Sequence, residues 1–228
     1  MTSTAILIPA RYGSTRLPGK PLISLDNIPM IRRVFERCRK TGFDTYVLTD
    51  DVRIADKFEP HQVIIDVADY DNGTERCAGA VAMRTLDDYD QFINVQGDMP
   101  DVTQEMIHKC VTSLSEYEVS TVYTEMRAEE QNKPTSVKLI RAGDNALWFG
   151  RGMTGYGDWH LGVYGYRKAA LQAYPKLNVP KEEHVEKLEQ LRWLKNGWQI
   201  GCKSVYFNGV EINTPEDVLL WKYNNDAK

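Results

Sequence analysis

The sequence predicts an α/β fold, with a mostly parallel central sheet flanked by helices, and two observations carry the prediction. Short β-rich apolar runs alternate with longer amphipathic stretches through the first half of the chain. Three polar clusters then fall directly behind the first, second and fourth of those runs. In a parallel sheet these positions share one edge, the carboxyl ends of the strands, where ligands of such folds bind.

Ala5–Ile8 is an unbroken apolar run and reads as a buried first strand. Residues 29–41 place Met30, Ile31, Val34, Phe35 and Cys38 on one helical stripe, closed by Gly42. A second strand is expected over 45–48, a helix over 51–58 and a third strand over 63–65. A helix over 73–86, a fourth strand over 92–95 and a helix over 102–114 follow. The second half is less regular. Strands are expected over 119–124, 137–140, 146–149 and 161–166, and an edge strand over 200–205. Residues 181–196 read as one helix and 215–224 as a last one, with Thr214 as its N-cap. No repeat, low-complexity tract or interdomain linker divides the 228 residues.

The formal net charge of −4 argues against a general binder of nucleic acid or anionic membrane. Four scattered cysteines, with no C-x-x-C spacing, point to reduced thiols rather than a zinc site or disulfide framework. The expectation is a cytoplasmic protein without signal peptide or membrane span.

Against that acidic background, the loop Pro9–Leu22 (PARYGSTRLPGKPL) is unusual in concentrating Arg11, Arg16 and Lys20. It resembles a phosphate loop but is not a Walker A loop. Gly13 to Gly19-Lys20 has one residue too many, and Pro21 stands where Ser or Thr would reach Mg²⁺. Two arginines able to grip phosphate with two donors each, plus one lysine point charge, nonetheless suit a polyanion. The bland reading is a solvated basic loop.

This loop is similar to the signature of the sugar-acid cytidylyltransferases, most closely the 3-deoxy-manno-octulosonate cytidylyltransferases (CMP-Kdo synthetases). Further resemblances follow in order: NGTER (72–76), NVQGD (94–98), HLGVYGY (160–166), EHVEKLEQLRWL (183–194) and NTPEDV (213–218). The resemblance implies a Rossmann-like nucleotidyltransferase fold forming a single domain over 1–228. Within it, residues 119–166 would contribute a strand-rich flap for sugar binding and dimerisation. It also implies an enzyme that, with Mg²⁺, transfers CMP from CTP to 3-deoxy-manno-octulosonate or a close acidic analogue and releases pyrophosphate, with a homodimer as the expected assembly.

The resemblance likewise suggests roles for residues. Arg11, Arg16 and Lys20 would hold the triphosphate, with Pro9 and Ala10 beside the nucleotide. Asn72 and Gly73 would shape the base pocket, with Arg76 and Gln96 facing the cytosine. For Arg76 an ion pair to Glu75 or Asp71 is the alternative. Asp98, at a strand's carboxyl end, suits Mg²⁺, which combines one or two carboxylates with phosphate oxygens. Arg151, His160, Tyr164, Glu189 and Gln190 would line the sugar pocket, Arg151 meeting the sugar carboxylate. Read without the resemblance, Glu189 and Gln190 fit a solvated helix face equally well.

The chain also departs from the family pattern. Asn213 stands where the family has the Asp that is its second metal carboxylate, and Asn brings a carbonyl without charge. Glu211 or Asp217 would be the residues to compensate. Met99 replaces a usual Glu, and the segment between Arg151 and His160 is short. A degenerate nucleotide-binding protein, or a cytidylyltransferase for another ulosonic or nonulosonic acid, are the alternative readings.

Overall fold

The computed structural model describes residues 2–13, 17–83 and 85–226. Strand β1 (Thr4–Pro9) is the spine of the molecule. Its alternate side chains enter two different cores, Ala5 and Leu7 on one face, Ile6 and Ile8 on the other, and all four are fully buried. A strand covered on both faces has to be apolar throughout, which is why its sequence shows no alternation.

A small hairpin, β2 (Ser24–Leu25) and β3 (Ile28–Pro29), leads into helix α1 (Met30–Arg39). Then come β4 (Asp44–Thr49), the single-turn α2 (Val52–Ala55), β5 (Val63–Ile65) and α3 (Gly73–Ala82). β6 (Gln91–Val95), α4 (Gln104–Ser113) and β7 (Val119–Thr124) follow. Next are β8 (Lys138–Ala142), β9 (Asn145–Gly150), β10 (Asp158–Arg167) and α5 (Lys168–Ala173). The chain continues through α6 (Lys181–Glu186), α7 (Gln190–Lys195), β11 (Ile200–Ser204) and α8 (Pro215–Asp226).

The nine-stranded sheet has the order β5-β4-β1-β6-β10-β7-β11-β9-β8. Its first four strands are parallel, as the sequence predicts. Beyond β6 the sheet is mixed: β10 enters antiparallel between β6 and β7. Strand β11 is parallel to β7 and antiparallel to β9, so it is an interior strand rather than the expected edge. Residues 119–166 therefore extend the main sheet, with β8 and β9 at its far end.

Helices α1 and α4 cover one face, with Val34, Phe35, Met106 and Ile107 in the core. Helices α3, α5 and α7 cover the other, with Cys77, Val81, Leu171 and Trp193. Each such buried side chain contributes about 1.5–3 kcal/mol relative to exposure. All four cysteines are core residues. Among the described residues, no helix is long and apolar enough to cross a membrane.

The expected helix over 181–196 is broken. Lys187 adopts φ 54°, left-handed and unfavourable for a non-glycine residue, and separates α6 from α7. The break turns Glu189 and Gln190 inward, toward the carboxyl end of β6.

Candidate active site

A cleft of about 240 Å³ opens beyond the carboxyl ends of β1 and β6. Pro9, Ala10, Arg11, Lys20, Asn72, Gly73, Arg76, Gln96 and Asp98 all line it, as do Tyr70 and Asp71. The fold thus brings together segments that lie almost ninety positions apart in the chain. Arg16 lies outside the described residues.

Arg11 is exposed at the rim. Lys20 Nζ sits 2.6 Å from Asp98 Oδ2, with both side chains about one-fifth exposed. The two residues expected to handle charge are therefore direct partners in the ligand-free protein. The loop that carries Lys20 turns through a short 3-10 helix, Lys20–Leu22, preceded by Gly19 at φ 66°.

The opposite wall is the N-terminus of α3. Asn72 caps it, its Oδ1 accepting the Glu75 N–H at 2.9 Å. Gly73 leaves little room there, since a Cβ would stand 3.1 Å from Gln96 Nε2 and 3.2 Å from Pro9 Cγ and would press on both side chains. Arg76 is buried and paired with Asp50 (2.9 Å), not with Glu75 or Asp71, and it also donates to the Asp66 carbonyl (3.0 Å). Its guanidinium packs 5.1 Å from the Tyr70 ring centroid. Arg76 thus stiffens the wall as it lines it.

Tyr70 is a cleft residue that the sequence reading missed. Its hydroxyl donates to Asp66 at 2.5 Å, and burial together with that carboxylate pushes its pKa up to about 12. Its ring lies over Gly79, where any Cβ would collide with the phenol oxygen. A lone tyrosine in the polar run DVADYDNG behind a strand was the available signal.

Beneath the cleft floor, Glu189 accepts the Thr74 N–H (2.8 Å) and Gln96 Nε2 (2.9 Å). This fixes the Gln96 carboxamide with its nitrogen toward Glu189. Burial pushes the Glu189 carboxyl above its ordinary range. Arg192, almost fully buried, bridges Glu183 (2.6 and 2.8 Å) and Glu75 (2.7 Å) behind it.

Of the remaining candidates, His160 and Tyr164 lie on β10, Gln190 on α7 and Arg151 just after β9. His160 is buried against Phe149 and Tyr164. The Thr121 hydroxyl donates to the Val163 carbonyl (2.8 Å), so it accepts from His160 Nε2 (2.9 Å), leaving Nδ1 as the acceptor. Burial, aided by the Arg151 charge, depresses the His160 pKa to about 3, so the ring is neutral at physiological pH. Tyr164 donates to Gln190 Oε1 at 3.3 Å, while the buried Gln190 Nε2 has no partner among the described residues. Arg151 donates to the Thr135 carbonyl (2.7 Å) and the Glu186 carbonyl (3.0 Å), tying the loop before β8 to α6.

Asn213 lines a second, much smaller cavity of about 10 Å³ with Glu211, Asp217 and Trp159. Asp217 forms a reciprocal cap at the start of α8: its Oδ2 accepts the Asn213 and Thr214 N–H groups at 2.9 Å each, and Thr214 Oγ1 accepts the Asp217 N–H at 3.4 Å. Glu211 accepts the Gly162 N–H at 3.3 Å. Burial, then the Asp98 charge, pushes its pKa up to about 8.

Chemically, a basic rim, a helix N-terminus and a carboxylate at a strand end are a donor set suited to a phosphorylated, metal-chelating anion. A profile described as cytidylyltransferase matches residues 5–204. The 8-amino-3,8-dideoxy-manno-octulosonate cytidylyltransferase of Shewanella halifaxensis is 38% identical, the alignment covering 96% of each chain. Its counterpart from Shewanella frigidimarina is 39% identical, over 93% of this chain and 94% of that one. The solved structure of a CMP:2-keto-3-deoxy-manno-octonic acid synthetase complexed with CTP superposes with a TM-score of 0.89 at 30% identity, over 99% of both chains. A 4-diphosphocytidyl-2C-methyl-D-erythritol synthase from Anaerococcus prevotii, at 12% identity and TM-score 0.64, shares the fold.

Proposed function

Because the chain belongs to the cytidylyltransferase family, an enzyme family of nucleotidyl transfer, we propose that it joins CTP to a sugar acid of the 3-deoxy-manno-octulosonate class and releases pyrophosphate. The 8-amino-3,8-dideoxy sugar is the favoured acceptor, since relatives matching over nearly the whole chain are named for it. The observation that carries the reading is the cleft itself, about 240 Å³, lined by Arg11, by the directly paired Lys20 and Asp98, and by the N-terminus of α3.

In this reading the base and ribose lie along Pro9, Ala10, Asn72 and Gly73, with Tyr70 and Arg76 as wall. The triphosphate lies under Arg11 and Lys20, the loop's third cation, Arg16, being outside the described residues. The sugar acid approaches from the β10 side, past Gln96, Tyr164 and His160, toward Arg151, Glu189 and Gln190. Its anomeric hydroxyl attacks the α-phosphorus in line with the departing pyrophosphate, so the protein acts mainly by alignment and charge neutralisation. Lys20 leaves Asp98 for the phosphates as they arrive and stabilises the charge growing on pyrophosphate. Neutral His160 serves as a hydrogen-bonding group rather than a proton carrier at pH 7.

A hard divalent cation such as Mg²⁺ would be held at the cleft by the Asp98 carboxylate, and Asn213, which lines the neighbouring small cavity, has only an uncharged amide carbonyl to add. No group of three or more His, Cys, Asp or Glu side chains converges among the described residues, so such an ion would need substrate oxygens to complete its shell. It would supply charge neutralisation of the triphosphate and polarisation of the α-phosphate. The test is pyrophosphate release from CTP and Mg²⁺ with 3-deoxy-manno-octulosonate, its 8-amino analogue and a nonulosonic acid, with UTP as control. Release with the 8-amino sugar above all supports the proposal. Release with a nonulosonic acid alone, or with none, overturns it.

A further inference from the structure

We propose that Glu211 is the second carboxylate, beside Asp98, that holds the divalent cation, in the place that neutral Asn213 leaves without charge. This rests on the cytidylyl-transfer reading above. Glu211 hangs from the stretch that is laced to the Asp98 loop: the Ile212 N–H donates to the Asp98 carbonyl at 3.0 Å. Its carboxylate is held by the Gly162 N–H, and the Gly162 carbonyl in turn accepts the Gln96 N–H at 3.0 Å. Glu211 and Asn213, two residues apart, line the same small cavity, which at about 10 Å³ has room for roughly one water or bare ion.

Charge balance gives this arrangement its direction. Two partly shielded carboxylates beside an incoming triphosphate repel it and each other, and a cation between them removes that repulsion. Lys20 satisfies Asp98 in the ligand-free protein, but the triphosphate calls it away. The other carboxylates that line the cavity are engaged, Asp217 by two backbone N–H groups in the α8 cap and Glu130 by Lys133 (2.6 Å) and the Ser136 hydroxyl. A further observation points to a ligand in this cavity. The Trp159 indole N–H is buried and without a partner among the described residues, and Trp159 is one of the residues that line the cavity.

Mn²⁺ serves as the probe. Binding is followed by loss of the free-ion electron paramagnetic resonance signal, in the presence of a CTP analogue with a methylene α–β bridge and without sugar. Glu211→Gln is expected to weaken Mn²⁺ at least about tenfold, and adding Asn213→Asp to that variant to restore most of the affinity. Glu211→Gln removes a buried charge and should melt no lower than the parent. If it fails to fold, Glu211→Asp, with its shorter carboxylate, is expected to bind Mn²⁺ more weakly than the parent. Unchanged Mn²⁺ affinity in a folded Glu211 variant overturns the proposal. So does unchanged affinity combined with a lost preference for the 8-amino sugar, which would make Glu211 the receptor of the sugar's ammonium. If no sugar acid yields pyrophosphate yet Mn²⁺ affinity still depends on Glu211, the functional reading fails and the metal assignment stands.

Discussion

Glu189→Gln tests how the cleft floor is organised. In the parent, one carboxylate accepts both the Thr74 N–H at 2.8 Å and Gln96 Nε2 at 2.9 Å. A glutamine has one acceptor oxygen and one NH₂, so one of these donors must face a donor. Two outcomes compete. If the floor stays rigid, a buried donor is orphaned, at a cost of about 1–3 kcal/mol. If Gln96 rotates, its carbonyl turns toward residue 189 and its NH₂ enters the cleft, reversing hydrogen-bonding polarity where substrate is read. Rotation is the cheaper path, because Gln96 is only partly buried and removing the buried Glu189 charge is itself favourable. The expectation is a melting temperature close to that of the parent with KM for CTP or sugar raised roughly tenfold, the equivalent of one misplaced bond. Steady-state pyrophosphate release, with each substrate varied in turn, measures it. Unchanged KM for both substrates would refute the idea that Glu189 sets the face Gln96 presents.

Three further outcomes follow from the same structure. Lys20→Ala should lower kcat/KM for CTP at least about tenfold, from loss of a charge-assisted contact of roughly 1.5–3 kcal/mol, read by pyrophosphate release. Arg192→Met should leave the buried Glu183 and the partly buried Glu75 without their counter-ion, costing about 3–5 kcal/mol and lowering the melting temperature by roughly 6–20 °C. His160 has a folded pKa of about 3 against an ordinary 6.5, so unfolding takes up a proton between those values. Its contribution is complete above pH 6.5 and declines by up to about 1.4 kcal/mol per unit below it, a component that His160→Gln should lack in chemical denaturation at pH 5 and pH 7.

The parallel half of the sheet was legible because β1 has to be apolar on both faces and the helix stripes close at turn signals such as Gly42. The placement of β10 was not, since an apolar run does not encode its pairing partner, and antiparallel insertion between β6 and β7 is decided by the whole sheet. The break at Lys187 was hidden for a related reason. EHVEKLEQLRWL has good helix formers throughout, and a left-handed lysine is tolerated only because Glu183 with Arg192, and Glu189 with Thr74, hold both sides of it. The cleft residues were readable as motifs, whereas their partners were not: Asp50, which pairs with Arg76, lies 26 positions away. Glu211 read as one of two compensating carboxylates, and only the α8 cap, which engages Asp217, separates them.

The central claim is that this cleft joins the α-phosphate of CTP to a sugar acid. Phosphorus-31 magnetic resonance of the full-length protein with CTP, Mg²⁺ and the 8-amino-3,8-dideoxy sugar acid follows that event atom by atom. The account predicts that the CTP α-phosphorus signal is replaced by a sugar-dependent phosphodiester, one for each pyrophosphate released. Pyrophosphate without that phosphodiester, or no change with any acid of the class, would contradict it.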